Sequence, residues 1–444
     1  MTVTYLKRAT PRPHQESADL RDTVAIMLAR LEQEGEAAAE YYARTFDKWE
    51  RAVVLGPEAR TTAVARVPEK LRDTIRFAHD NIRRFAEVQK ATLTDCEIEL
   101  LPGHRAGQKQ IPVTSAGCYV PGGRYAHIAS ALMTVTTARV AGVRHVTAAS
   151  PPRGGAGIPD AVVFAMDLAG ADTILNLGGV QAIAAMAFGL YGVVPADILV
   201  GPGNAFVAEA KRQLFGRVGI DMVAGPTDTL VIADATADPE TVAWDLVGQA
   251  EHGADSPAWL ITSSRALAER VMALVPALCD SLPEPNGALA RRAWEARGEV
   301  VLCDTAEEMA ATSDRYAPEH LHVMAADLDW WRARLTAYGS LFLGAGTTVP
   351  FGDKVSGPNH VLPTGGAARY TGGLSVQKFT KTVTWQHTEG TGSQALARAA
   401  GDLSRFEGME GHARSAELRL DAPPRVSPLR EPPDKDRSPR GLGI

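Results

Sequence analysis

The spacing of apolar residues first indicates helices. Between residues 19 and 88, Val24, Met27, Leu28 and Leu31 recur at positions i, i+3, i+4 and i+7 among dense charge. This spacing is typical of an amphipathic helix, and the segment contains few strand signals. The sequence therefore predicts a helical opening to the chain.

From Gly117 onward the pattern changes to short β-branched runs that alternate with alanine-rich stretches. The runs at 145–149, 173–176 and 229–233 are typical of strands, and apolar helical stretches separate them. Repeated strand–helix–strand order predicts parallel sheets covered by helices. We predict an α/β fold with two Rossmann-like parallel-sheet units, a helical N-terminal region and a helical C-terminal arm.

The predicted organisation has five parts. Residues 1–116 form the helical region, which we expect to pack with the second α/β unit; residues 117–226 and 227–372 form the first and second α/β units. Residues 373–420 form the helical arm. Residues 421–444 are rich in Pro, Arg and Asp with almost no apolar content, so this tail is expected to be disordered.

Composition and charge exclude several classes of protein. The 444 residues are 45% hydrophobic and 22% charged, with a net charge of −6, as in a globular protein of two or three domains. The part of the sequence expected to fold contains no Lys/Arg-rich run that would indicate nucleic-acid binding. Its apolar stretches are too short to span a membrane. The four cysteines lack paired spacing, and the N-terminus lacks a signal-peptide core. We expect a cytoplasmic protein without disulfides.

Glycine-bearing turns follow three predicted strands of the first unit. They are Tyr119-Val-Pro-Gly-Gly, Gly178-Gly-Val-Gln181 and Gly201-Pro-Gly-Asn204, whereas the Gly-x-Gly-x-x-Gly fingerprint is absent after the first strand of either unit. A helix N-terminus offers free N–H groups to a pyrophosphate, and glycine lets the backbone approach it. Each turn alone is more typical of structural punctuation. Together, at the strand ends of one unit, they indicate a dinucleotide site.

Ligand-type side chains are concentrated in the second unit. Gln249 and His252 are three residues apart, so in a helix they would share a face and could bind one ion, although an isolated pair is more often a polar helix end. Glu319 and His320 are adjacent; a neutral-pH histidine suits removal of an alcohol proton, and a carboxylate can activate water. Most such pairs are solvated loop residues.

Four further residues with ligand-type side chains have ordinary structural explanations when taken singly. Asp353 and His360 lie in a loop dense with glycine and proline, where a turn-forming aspartate and a satisfied histidine are common. Glu407 and His412 lie in the helical arm, where polar residues are normally on the surface.

Together these segments resemble the histidinol dehydrogenase family, which are zinc- and NAD-dependent four-electron alcohol dehydrogenases. The resemblance rests on the Gln249-Ala-Glu-His252, Ala317-Pro-Glu-His320-Leu and Gly352–Thr364 segments and on the Glu407–His412 segment. It implies the following roles: Gln249, His252, Asp353 and His412 as ligands of one Zn²⁺ per subunit; Glu319 and His320 as catalytic residues; Tyr119, Gln181 and Asn204 as NAD contacts; and Thr227, His320, His360 and Glu407 as substrate contacts.

The resemblance also implies a homodimer with shared active sites, since the C-terminal segment of this family lends its Glu and His to the partner. Sequence alone leaves open whether Glu407 and His412 act on their own subunit. The implied partner molecule is a small polar alcohol.

Several stretches depart from biosynthetic histidinol dehydrogenases. Arg124-Tyr125-Ala-His127 replaces small residues, Thr227 stands where a serine contacts histidinol, and Lys378 lies in an altered run. The chain looks closer to the sulfopropanediol 3-dehydrogenase branch, since added cations would suit a sulfonate. We expect oxidation of (R)-2,3-dihydroxypropane-1-sulfonate to (R)-sulfolactate. The alternatives are oxidation of L-histidinol to L-histidine and a non-catalytic NAD- or metal-binding paralogue.

Overall fold

The computed structural model describes residues 3–10, 18–123, 125–223 and 225–420. The expected disordered tail, 421–444, lies outside the described residues. The chain divides into two compact units, Met1–Leu93 with Pro112–Lys381, and Thr94–Ile111 with Thr382–Ile444. No helix in the described ranges is long and apolar enough to cross a membrane.

The described residues up to Pro112 contain helices and three strands. These elements are β1 (Thr4–Lys7), α1 (Ala18–Glu34), α2 (Glu36–Tyr42), α3 (Pro57–Arg66), α4 (Glu69–Ala91), β2 (Cys96–Leu101) and β3 (His104–Pro112). The predicted periodicity is confirmed, because Val24, Met27, Leu28 and Leu31 are the buried residues of α1.

The first parallel sheet follows. Its elements are β4 (Ser115–Tyr119), α5 (Ile128–Ala141), β5 (His145–Ser150), α6 (Asp160–Ala169), β6 (Thr173–Asn176), α7 (Gly179–Phe188), β7 (Ile198–Val200), α8 (Ala205–Leu214) and β8 (Gly219–Ile220). The strand order is β6-β5-β4-β7-β8, with every pair parallel. Strands β4 and β7 are therefore neighbours at the point where the order along the sheet reverses.

A second parallel sheet has the same order of crossovers. Its elements are β9 (Thr229–Ala233), α9 (Pro239–Ala250), β10 (Ala258–Thr262), α10 (Arg265–Ser281), α11 (Asn286–Arg297), β11 (Glu299–Leu302), α12 (Ala306–Tyr316), β12 (His320–Met324), α13 (Leu328–Arg334), β13 (Ser340–Leu343) and α14 (Val349–Lys354). The order is β1-β11-β10-β9-β12-β13, and only β1 is antiparallel, at the edge. The predicted α/β fold with two parallel sheets is confirmed.

The N-terminal helices cover the first sheet. Helix α1 packs on α7 and α8, α3 packs on α6, and α4 packs on α5 and α6. The apolar stripe of α4, which includes Ile75 and Ile82, shares a core with Leu132 and Met166 of the first sheet's helices. The expectation that the N-terminal region packs with the second α/β unit therefore holds only in part: β1 joins the second sheet, and Asn81 of α4 donates a 3.0 Å hydrogen bond to the Val355 carbonyl oxygen, whereas the helices pack mainly on the first sheet. For α4 the physical reason is that α5 is buried along nearly its whole length and therefore needs a second layer of helix over it.

The second compact unit, Thr94–Ile111 with Thr382–Ile444, contains a three-stranded sheet and two helices. Strand β14 (Thr380–Thr388) lies next to β3, which pairs antiparallel with β2, and helices α15 (Thr391–Phe406) and α16 (Glu410–Glu417) pack together. The helices expected in the arm, 373–420, and in the N-terminal region, 1–116, are present, but the strands β14, β2 and β3 were not predicted. The segment Thr380–Thr388 is rich in threonine and carries Val383 and Trp385, and such side chains favour a strand.

Candidate active site

Buried polar side chains meet at the amino ends of β9 and β12. Asp228 precedes β9, and its carboxylate accepts hydrogen bonds from the backbone N–H groups of Glu319 (2.7 Å) and Gly365 (2.8 Å). In return, the Asp228 N–H donates to Glu319 Oε2 at 3.2 Å. These reciprocal bonds fix the Glu319 side chain at the start of β12.

The turn that presents Glu319 is locally constrained. Ala317, the residue that ends α12, has a left-handed backbone with φ of 46°, which is uncommon for a residue with a Cβ. The next turn places Pro318 and Glu319 opposite Gly339, where an added Cβ would lie 2.5 Å from the Glu319 carbonyl oxygen. Close backbone approach on both sides thus holds Glu319 and His320 in position.

Three of the four expected zinc ligands lie together near His320. His252 Nε2 is 4.0 Å from Asp353 Oδ2, and His320 Nε2 is 3.4 Å from Asp353 Oδ1. Gln249 is buried, and its Oε1 accepts a 3.3 Å hydrogen bond from Thr229 at the start of β9. Helix α9 ends at Ala250, so His252 lies in the turn after the helix and does not share a helical face with Gln249.

The buried pair Glu319 and His320 has strongly altered proton affinities. Burial raises the pKa of Glu319, and the nearby His320 opposes this shift. Burial lowers the pKa of His320, but the carboxylates of Glu319 and Asp353 outweigh it, so that the pKa of His320 is raised. Burial together with specific charge partners is typical of a functional site.

The first sheet contributes to the same cleft through the start of α5. Ser130 Oγ lies 2.9 Å from His360 Nε2, and the other ring nitrogen of His360 lies 2.8 Å from the Asp353 carbonyl oxygen. Because Asp353 also contacts His320, the carboxyl end of β4, which leads into α5, meets the amino end of β12. Sequence reasoning missed Ser130, since a serine in an apolar helix carries no distinctive signal.

The expected cofactor residues lie at the carboxyl ends of the first sheet. The Tyr119 hydroxyl accepts a 3.1 Å hydrogen bond from Gly179 N–H, and Gln181 Nε2 donates to Asp47 at 2.9 Å. Asp47 also accepts from Gly178 N–H at 3.0 Å. The expectation of free N–H groups at this turn is therefore wrong for Gly178 and Gly179, because protein oxygens already bind them.

The third turn is held by a buried ion pair. Lys211 Nζ donates to the Gly201 carbonyl at 3.0 Å, and Asp221 accepts from Gly201 N–H at 2.8 Å. Lys211 and Asp221 also contact each other, with 3% and 0% of their side chains exposed. Gly201 has φ of 112°, and an added Cβ would lie 2.0 Å from the Tyr119 carbonyl oxygen. Asn204 ends the turn as the N-cap of α8.

The remaining predicted residues are less closely integrated. Thr227 is half-buried next to Asp228, and Lys378 donates a 2.8 Å hydrogen bond to the Thr371 hydroxyl. Glu407 and His412 lie in the second compact unit, at the end of α15 and on α16, and both are exposed. Arg124 lies outside the described residues.

The donor atoms of His252, Asp353 and Gln249 are of the kinds that zinc binds. A His252–Asp353 separation of 4.0 Å is too long for a hydrogen bond, whereas two ligands of one zinc lie about 3–4 Å apart. Both ring nitrogens of His320 are buried without a hydrogen bond. Among the described His, Cys, Asp and Glu residues, no three converge closely enough to hold a metal by themselves. Together with the Gln249 amide oxygen, the His252 nitrogen and the Asp353 carboxylate give one nitrogen and two oxygen donors within the first compact unit. These residues fit a zinc site that a further ligand would complete.

Comparison with known proteins identifies one family. A family model described as histidinol dehydrogenase matches residues 10–420. A histidinol dehydrogenase homolog of Ruegeria pomeroyi is 66% identical over 421 residues, covering 95% of this chain and 97% of that protein. A sulfopropanediol 3-dehydrogenase of the same organism is 60% identical over 420 residues, covering 95% of this chain and 97% of that protein.

A solved structure agrees with these sequence matches. The crystal structure of histidinol dehydrogenase from Elizabethkingia anophelis superposes with a TM-score of 0.86 and 35% identity. The match covers 92% of this chain and 94% of that chain.

Proposed function

Because this chain belongs to the histidinol dehydrogenase family, NAD-dependent oxidoreductases that oxidise an alcohol through an aldehyde, we propose that it is a zinc enzyme acting on a small anionic diol. The substrate proposed is (R)-2,3-dihydroxypropane-1-sulfonate. One alcohol, one water and two NAD⁺ would give one carboxylate, (R)-sulfolactate, two NADH and three protons. The observation that carries the substrate class is a basic cluster, His127, His252, His360 and Lys354, beside the buried Glu319, His320 and Asp353.

The basic cluster surrounds His127, the residue before α5. Burial, followed by the nearby basic groups of His360, Lys354 and His252, lowers the pKa of His127 to about 4, so this imidazole is neutral at neutral pH. A neutral imidazole can donate a hydrogen bond to an anion and Lys354 adds a positive charge nearby, which suits a sulfonate with its permanent negative charge. The similarity to the sulfopropanediol 3-dehydrogenase of Ruegeria pomeroyi supports the same substrate class.

The turn that departs from biosynthetic enzymes is tied to this cluster. The Tyr125 hydroxyl donates to Asn286 at 3.1 Å, and Asn286 donates to Glu251 at 2.9 Å. Glu251 precedes His252, so the altered turn is connected to a proposed zinc ligand. The substituted residues therefore border the site and can change its specificity without changing the acid–base pair.

The proposed chemistry assigns separate protons to two neighbouring side chains. When bound, zinc supplies a Lewis acid beside the hydroxyl, and NAD supplies the hydride acceptor. In its neutral form, which the raised pKa of this residue restricts to higher pH, His320 accepts the hydroxyl proton in the first oxidation. Glu319 accepts a proton from the water that hydrates the aldehyde before the second oxidation, and Asp228 orients Glu319 through the hydrogen bonds described above.

Zinc would be held by Gln249, His252, Asp353 and His412, one ion per subunit. Metal analysis of the purified protein should find one zinc per subunit, and chelation should abolish turnover until zinc is restored. His252→Ala should lose most of the metal while keeping its fold, because 36% of this side chain is exposed and it is not a core residue. Full activity after exhaustive chelation would contradict the proposal.

We further propose that His412 and Glu407 complete the site of a second subunit in a homodimer. Supporting this, the segment from α15 to the residue after α16 exposes large apolar side chains, Leu403 (65%), Phe406 (93%) and Leu418 (74%). Mixing inactive His320→Gln and inactive His412→Ala subunits should restore activity, because hybrid dimers would contain one intact site. No recovery after demonstrated subunit exchange would place His412 in the site of its own chain.

The substrate is tested by competition. The kcat/KM for 2,3-dihydroxypropane-1-sulfonate should exceed that for L-histidinol by about 10²-fold, since a site built around polar contacts rejects analogues that lack them. His127→Gln should raise KM for the sulfonate, whereas the exposed control His145→Gln should not. A ratio below one would favour L-histidinol, and no turnover of either alcohol would favour the non-catalytic paralogue.

A further inference from the structure

A second buried histidine lies beneath the proposed catalytic pair. His322 is on β12, two residues after His320, so the period of two along a strand puts both side chains on one face. Its side chain is fully buried. Its Nε2 lies 2.9 Å from the Gly344 carbonyl oxygen, which only accepts, so Nε2 carries the proton.

The other ring nitrogen of His322 faces a carboxylate on α9. His322 Nδ1 is 3.0 Å from Asp245 Oδ2, at ion-pair distance although without the alignment of a hydrogen bond. The second oxygen of Asp245 accepts a 2.9 Å hydrogen bond from the Thr348 hydroxyl. The His322 network, defined as His322, Asp245, Thr348 and the Gly344 carbonyl, therefore joins three separate segments of chain.

The same segments carry or adjoin Gln249, His252 and Asp353, the proposed metal ligands of the first compact unit. Asp245 is one helical turn before Gln249 on α9, and Thr348 is the residue before α14, which carries Asp353. His322 connects both to the strand that begins with His320. The network thus fixes the spacing between α9 and α14 from below the metal centre.

Packing around the network leaves little freedom for α14. Phe342 on β13 lies beside both His320 and His322, with ring centroids 6.1 Å and 6.4 Å away. An added Cβ on Gly352 would lie 2.6 Å from the Phe342 ring, so the backbone next to Asp353 rests on this ring. A buried polar network often contributes less to the stability of a fold than apolar packing of the same volume. Its presence here therefore favours a role in fixing geometry.

We propose that His322, Asp245 and Thr348 are positioning residues for the metal centre. They hold Gln249 and His252 at the distance from Asp353 that one zinc ion requires. This inference rests on the proposed zinc site, and residues behind metal ligands commonly tune metal affinity by about 10–100-fold.

The test is zinc affinity without substrate, measured by competition with a chromophoric chelator. His322→Gln and Asp245→Asn should weaken zinc binding by about 10–100-fold. The control is His79→Gln, which alters a buried histidine that pairs with Asp80 on α4, outside the site. The control should keep the zinc affinity of the unaltered protein, even if its metal-free melting temperature falls as much as that of His322→Gln or Asp245→Asn.

A milder pair of variants guards against loss of folding. Thr348→Val removes the hydroxyl at nearly constant shape and should weaken zinc binding, and Thr348→Ser should restore it. Unchanged zinc affinity in His322→Gln and Thr348→Val, with melting temperatures lowered, would make the network purely structural and overturn the inference. If the unaltered protein itself bound no zinc, the proposed function would fail first, so the two failures are distinguishable.

Discussion

The two parallel sheets of this protein share one topology but use opposite edges. In both, the first parallel strand in sequence lies between the second and the fourth, which gives the same switch point. In the first sheet the candidate residues follow the carboxyl ends of β4 and β7, as expected for open α/β sheets. In the second sheet Asp228 and Glu319 precede β9 and β12, at the amino ends. Strand order therefore does not determine which edge carries polar residues.

The two edges also differ in how polar groups are used. At the first sheet, Asp47, Lys211 and Asp221 bind backbone groups of the glycine turns, so the charges shape a loop. At the second sheet, the carboxylates of Glu319 and Asp353 surround a histidine and change its proton affinity. The first edge is suited to binding, and the second is suited to proton transfer.

The largest expected effect separates the two edges. His320→Gln should reduce kcat for alcohol oxidation by about 10²–10⁴-fold, since that is the usual contribution of a general base. Zinc content and KM for NAD should stay unchanged because the variant leaves the first edge intact. Steady-state kinetics with metal analysis provide the check, and a large rise in KM for NAD would show that the edges are not separable.

A second variant should act on stability at the first edge. Lys211→Met leaves the Asp221 carboxylate buried and unpaired, so the free energy of unfolding should fall by about 3–5 kcal/mol. Denaturant unfolding measures this loss. Adding Asp221→Asn should recover much of it by removing the orphaned charge, and equal instability of the single and double variants would refute the ion-pair explanation.

A third variant should separate the two oxidation steps at the second edge. Glu319→Gln should slow aldehyde oxidation by about 10²-fold and alcohol oxidation less, because its carboxylate serves only the hydration step. The raised pKa of Glu319 means that the carboxylate form increases as pH rises, so aldehyde oxidation should rise with pH and the variant should lose that dependence. Equal slowing of both steps, measured with each substrate supplied separately, would contradict this division.

The smallest effect is expected at the Asp47 contact. Asp47→Asn weakens the charge-assisted bonds to Gly178 and Gln181, so KM for NAD should rise about tenfold, the equivalent of about 1.4 kcal/mol for one such bond. The kcat with saturating NAD and the zinc content should hold. The exposed Asp80→Asn is a matched control, and an unchanged KM for NAD in Asp47→Asn would remove Asp47 from the cofactor edge.

The sequence by itself determined the residue types of the site and much of the local structure, but not the strands β2, β3 and β14. Apolar spacing identified α1 through Val24 and Leu31, and alternating runs identified both parallel sheets, because these patterns reflect burial that each element needs wherever it packs. Family motifs singled out Gln249, His252, Glu319, His320 and Asp353, and the fold of the first compact unit brings these five residues together.

Only the tertiary structure decided how these elements meet. Asp228, Asp47 and His322 act through partners 91, 134 and 77 positions away, at Glu319, Gln181 and Asp245, and no local pattern encodes such contacts. Helix α4 covers α5 because almost every residue of α5 is buried, which is a property of the neighbour that α4 covers. The choice of the amino edge in the second sheet likewise depends on chain segments converging in space, since hydrogen bonds and ion pairs act over a few ångströms whatever the separation in sequence.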